Sequence, residues 1–209
     1  MAKIFGSFKS GVRAAFDPTG RALIRLGVSP DAVTVAGTVG VVAASVIFAA
    51  HGRLVIATLV ITACCLVDVL DGAMARARGY GTRFGALLDS SMDRVADAAI
   101  FGSLAWWLAS TGRLTLTWVA LICLGGAQLV SYVKARAEGL GFKCDVGIAE
   151  RMERLILIGI GGLLTGFGVN WGIGAVLWLL AVLIVVTIVQ RLLYVRGQEG
   201  AVTIPKETS

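Results

Sequence analysis

The chain has 209 residues, 57% of them hydrophobic and only 15% charged, with a mean hydropathy of +0.85 and a net charge of +6. That composition excludes an ordinary soluble domain and places the chain in the membrane class, with no nucleic acid among its expected partners.

In chain order, residues 1–29 read as an interfacial segment without a cleavable signal peptide. Ile4, Phe5, Phe8, Val12 and Phe16 fall on one helical face, with Lys3, Lys9 and Arg13 elsewhere. This pattern predicts a cytoplasmic juxtamembrane amphipathic helix lying on anionic lipid. Residues 30–197 then form the main domain. Apolar runs at 34–50, 54–70, 98–110, 114–133, 155–168 and 171–190 predict six transmembrane helices, so the expected class is an all-α integral membrane protein. The third run is short, so the polar stretch 85–97 before it must also be helical. Residues 198–209 are polar, contain Pro205 and read as a loose C-terminal tail.

Six spans put both termini on one side. Of the 19 basic residues only Arg53 and Arg113 fall on the other side, and every acidic residue falls with the termini. The positive-inside rule therefore predicts a multi-pass protein of the cell (plasma) membrane whose termini and active site are cytoplasmic. Cys64, Cys65, Cys123 and Cys144 show no ligand or disulfide spacing and are expected to be reduced thiols. His51 stands alone in an outer connection.

The chemistry concentrates in one stretch. Asp68, Asp71, Gly72, Ala75, Arg76, Gly85, Asp89 and Asp93 fill every fixed position of D-x2-D-G-x2-A-R-x8-G-x3-D-x3-D. Asp68 and Asp71 share one helical face, as do Asp89 and Asp93. Four converging carboxylates repel one another unless cations lie between them, and an apolar chain carries such a cost only for a use. Their oxygens select a hard ion, so the expectation is two divalent cations, Mg2+ or else Mn2+, the device that serves phosphoryl transfer. Gly72 would let a bulky ligand approach the backbone, and Arg76 could fork onto a phosphate. Gly85 either repeats the small-residue device or lets helices pack closely.

This motif resembles the signature of the CDP-alcohol phosphotransferases, membrane enzymes that displace CMP from a CDP-linked donor with an alcohol. The resemblance implies six transmembrane helices, a homodimer and a cytoplasm-facing cavity. It also implies that Asp68, Asp71 and Asp89 hold one metal and Asp68, Asp89 and Asp93 the other, with Asp93 as general base. Gly72 and Arg76 would contact the CDP portion of CDP-diacylglycerol. So would the segment Asp31, Ala32, Val33 and Thr34 after Pro30, together with Thr82. Asp97 lies outside the motif and is expected to pack or pair with an arginine.

The acceptor must be read from a second cluster. Lys134, Arg151, Arg154 and Arg191 fall near the membrane level of the aspartates and are expected to bind the phosphate of the acceptor, while Arg136, Lys143 and Arg196 anchor to lipid headgroups. A cationic acceptor would be repelled. Inositol phosphate and glycerol 3-phosphate both fit. The runs S-Y-V-K-A-R-A-E-G-L-G and G-I-A-E-R-x-E-R resemble actinobacterial family members that take inositol phosphate, so that acceptor is expected and glycerol 3-phosphate is the alternative. A divalent-cation carrier is the competing class. It needs access from both faces, and only Arg53 and Arg113 charge the outer side.

Overall fold

The computed structural model describes residue 24 and residues 26–78 and 81–201; of these, the side chains at 67–73 and 75–78 are outside the description. The juxtamembrane helix, expected from Ile4, Phe5, Phe8, Val12 and Phe16, therefore lies outside the described residues, which take in only the end of the 1–29 segment.

Six α-helices and no strand occur among the described residues: α1 (Pro30–Ile47), α2 (Leu54–Arg78), α3 (Arg83–Ser110), α4 (Leu114–Gly139), α5 (Arg151–Gly166) and α6 (Gly172–Arg196). A single 3-10 turn, Ala49–His51, follows α1. Each expected span is matched by one helix, and α3 begins at Arg83, so the polar stretch before the third apolar run is helical as expected. Three helices are long and apolar enough to cross a membrane, Pro30–His51 (with the 3-10 turn), Leu114–Gly139 and Gly172–Arg196; the first part of α2, Leu54–Leu66, is a shorter apolar helix. Such helices mark a membrane protein.

The chain divides into two compact units between Ser103 and Leu104. In the first, the start of α1 is set by three adjacent residues. The Ser29 side chain accepts the Ala32 N–H at 3.2 Å, Pro30 fills the first turn where no N–H is needed, and Asp31 meets the positive helix end. α1 packs on α2 through Gly40, where an added Cβ would lie 2.7 Å from Cys64 Sγ. Small residues at such crossings are how membrane helices approach closely.

In the second unit α4 and α5 both pack on α6. Gly126 of α4 meets the Ile184 side chain of α6, and the buried layer includes Ala127, Val130, Ile173, Leu177 and Leu180. The first residues of the expected tail, 198–201, fall within the described residues. α6 runs on to Arg196, and Gln198 bonds both backbone groups of Lys143, accepting its N–H at 3.0 Å and donating to its carbonyl at 2.5 Å. The physical reason is that a primary amide can pair with a peptide group as another peptide would.

Candidate active site

The motif occupies the end of α2 and the first half of α3. Asp68, Asp71, Gly72 and Arg76 all lie on α2, with side chains outside the described residues. Asp89 and Asp93 lie one turn apart on α3. Asp89 is exposed, Asp93 is half-buried and Asp97, a further turn along, is 1% exposed. The carboxylates on this face thus run from solvent into the protein. Arg94 Nη2 lies 3.6 Å from Asp93 Oδ2, and Asp89 has no ion pair among the described residues. Two carboxylates one helical turn apart suit a hard divalent cation, with their oxygens as ligands. No group of three metal-capable side chains gathers among the described residues, which omit the Asp68 and Asp71 carboxylates.

The sequence left two uses open for Gly85, and the structure supplies a third neighbour set. The Gly85 N–H donates to Thr82 Oγ1 at 2.8 Å, capping the start of α3. A Cβ on Gly85 would stand 2.9 Å from that hydroxyl and 3.3 Å from Asp31 Oδ1. The glycine therefore admits Asp31 and Thr82 to the helix N-terminus together, which joins two of the expected nucleotide contacts around one backbone position. Thr34, one turn after Asp31, is buried and its hydroxyl donates to Pro30 O at 3.2 Å. Val33 is buried beside it and Ala32 is exposed.

The basic cluster lies in the second unit, around the connection 140–150. Lys134 near the end of α4 donates to Asp145 Oδ1 at 2.7 Å and lies 3.7 Å from Glu138. The Asp145 carboxyl is held below its ordinary value by the hydrogen bond from Lys134 and then by the charge of that ammonium. Arg191 of α6 is 3% exposed. It donates from Nε to Val146 O at 2.8 Å, from Nη1 to Val130 O at 2.6 Å and from Nη2 to Glu150 Oε1 at 3.2 Å. Arg154, in the first turn of α5, is 2% exposed and donates from Nη1 to Ala149 O at 3.0 Å. Arg151 begins the same helix and is half-buried.

Three of the four basic residues expected to meet the acceptor are thus brought to one connection, from three different helices. Their partners are groups the sequence did not flag: Asp145, Glu150 and the carbonyls of Val130, Val146 and Ala149. Three of the five N–H donors of Arg191 are used in these bonds within the protein. The Arg191 guanidinium is thereby paired with the Glu150 carboxylate and fixed in direction by the Val130 and Val146 carbonyls.

Residues 27–190 match the model of the CDP-alcohol phosphatidyltransferase family. The chain belongs to this family. It is 46% identical over 187 residues to the phosphatidylinositol phosphate synthase of Mycobacteroides abscessus, covering 88% of this chain and 85% of that one. Among solved structures it resembles the Mycobacterium tuberculosis phosphatidylinositol phosphate synthase with CDP-DAG bound (TM-score 0.87, 43% identity, 90% of this chain and 97% of that one). The same enzyme in complex with manganese and citrate matches at TM-score 0.86 and 43% identity, over 90% and 92% of the two chains. Membership in a transferase family removes the divalent-cation carrier as a reading. The manganese-bound relative points to use of a divalent metal in the family.

Proposed function

We propose that this chain transfers the phosphatidyl group of CDP-diacylglycerol to inositol phosphate, releasing CMP and phosphatidylinositol phosphate. The observation that carries the reading is the complete aspartate motif in a chain about half identical to a phosphatidylinositol phosphate synthase over most of its length. Asp68, Asp71, Asp89 and Asp93 would hold two divalent cations, Mg2+ or Mn2+. When bound, these ions neutralise the pyrophosphate and polarise the attacked phosphorus. Gly72, Arg76, Thr82 and the segment from Asp31 through Ala32 and Val33 to Thr34 bind the CDP portion. Lys134, Arg151, Arg154 and Arg191 bind the acceptor's phosphate.

The acceptor hydroxyl attacks the β-phosphorus, the bond from that phosphorus to the CMP oxygen breaks, and CMP departs. Asp93 receives the hydroxyl proton. A carboxylate beside a cation is a modest base, so positioning and charge neutralisation supply most of the rate.

All six helices span the cell membrane in this reading, with both termini and the active site cytoplasmic, and the enzyme works as a homodimer. A ring of aromatic side chains supports the span assignment. Trp118, Phe167 and Trp171 are exposed at the start of α4, the end of α5 and the start of α6, and Trp106 is exposed near the end of α3. Amphipathic rings collect at the membrane–water interface. At that same end Arg113 sits 5.8 Å from the Trp107 ring and donates to Asn170 O at 3.2 Å, closing the outer connections.

The test is release of CMP from CDP-diacylglycerol in detergent by the purified protein. Release should require both inositol phosphate and a divalent cation. Release that proceeds equally without any alcohol acceptor would overturn the transfer reaction.

A further inference from the structure

Thr187 lies on α6, one turn before Arg191, and is fully buried. A threonine inside a helix ordinarily spends its hydroxyl on the carbonyl four residues back, and here it donates to Leu183 O at 2.8 Å. The same oxygen also accepts the Ala149 N–H at 3.0 Å, from a residue 38 positions away in the connection before α5. Its methyl group is used as well. Gly147 has φ +145, and a Cβ there would lie 2.7 Å from Thr187 Cγ2. Hydroxyl and methyl thus meet two residues of one loop.

The loop transmits this grip to both buried arginines. The Ala149 carbonyl accepts from Arg154 Nη1, so the peptide groups on either side of Ala149 Cα join Thr187 to Arg154. Val146 O and the Glu150 carboxylate are held by Arg191. A buried amide has to find a partner, and Thr187 is what the Ala149 N–H finds.

We infer that Thr187 is a positioning residue for acceptor binding: its hydroxyl fixes the segment 146–150 and so sets where Arg154 and Arg191 stand. This rests on the acceptor reading above. Thr187 touches no substrate and acts only through the loop.

The test compares wild type, Thr187→Val and Thr187→Ser as full-length proteins in vesicles containing CDP-diacylglycerol. Valine keeps the shape and removes the acceptor oxygen; serine keeps the oxygen. Thr187→Val should raise the KM for inositol phosphate about tenfold, with kcat and the KM for CDP-diacylglycerol within about twofold of wild type. Thr187→Ser should restore the wild-type KM. An unchanged KM in Thr187→Val, or kcat and both KM values worsening together, overturns the inference. Should the valine variant not fold, hydrogen exchange on the wild type decides: the Ala149 amide should be strongly protected, and exchange at the rate of an open loop overturns the inference. A wild type that ignores inositol phosphate overturns the acceptor reading instead. The KM for the acceptor it does use, measured on the same three proteins, then judges Thr187.

Discussion

Gln198 holds Lys143 by both of its backbone groups, across 55 residues of sequence. The residue past the last helix thereby fastens the connection that carries the basic cluster. Cys144, the next residue, is fully buried, and burial pushes its thiol above its ordinary value. Native protein should therefore leave Cys144 unlabelled by a maleimide at neutral pH, since only exposed thiolate reacts well. Gln198→Ala should open the loop and speed labelling of the Cys144 peptide by roughly tenfold, read by mass spectrometry, if the clamp contributes about 1.4 kcal/mol. Equal labelling in the two proteins would show that the amide clamp does not hold the loop.

Gly85→Ala should disturb the donor site and spare the acceptor. The new Cβ would press on the Thr82 hydroxyl and the Asp31 carboxylate, at 2.9 and 3.3 Å. Overpacking of this kind costs about 1–3 kcal/mol. If both side chains face the nucleotide, the KM for CDP-diacylglycerol should rise at least several-fold with the acceptor KM unchanged. No change in either constant would remove Asp31 and Thr82 from the nucleotide site.

Chelation should abolish turnover, and Mg2+ or Mn2+ should restore it. Asp68→Asn or Asp89→Asn should be nearly inactive while still folded, since each removes a ligand that the proposed site shares between both ions. Asp93→Asn should lose kcat severely and keep most CDP-diacylglycerol binding, because Gly72 and Arg76 remain. Full activity after exhaustive EDTA treatment would rule out the two-metal mechanism.

Truncating Arg154 to Ala should raise the KM for inositol phosphate by tenfold or more, since a charge-assisted hydrogen bond contributes roughly 1.5–3 kcal/mol. The KM for CDP-diacylglycerol should change little. Arg191→Ala should add a loss of thermal stability, because it also strands the Val130 and Val146 carbonyls. Loss of stability in both variants with an unaltered acceptor KM would make these arginines structural only.

The helices were legible because their signals are local. Ser29, Pro30 and Asp31 announce the start of α1, and the length a span must have forces the stretch before residue 98 to be helical. The candidate metal ligands stand out in the sequence because charge is costly in an apolar chain. The loop that orders the basic cluster does not. Thr187 reads as one small polar residue in an apolar run, and Gln198 as the start of a polar tail. Their partners, Ala149 and Lys143, are backbone groups, which every sequence has. A faint signal did exist: Gly147 stands in the run G-I-A-E-R, where a loop with a positive φ meets the helix bearing the arginines. The sequence likewise showed the charges of Lys134, Arg154 and Arg191, and gave no sign that each is already held by a carboxylate or carbonyl.

The central claim is that the enzyme's acceptor is a phosphorylated sugar alcohol. The most direct measurement offers purified protein inositol phosphate, free inositol and glycerol 3-phosphate together, with CDP-diacylglycerol and Mg2+, and identifies the lipid products by mass spectrometry. The account predicts phosphatidylinositol phosphate as the dominant product. Phosphatidylglycerophosphate in its place would reassign the acceptor to glycerol 3-phosphate, and abundant phosphatidylinositol would show that the basic cluster does not read the acceptor's phosphate.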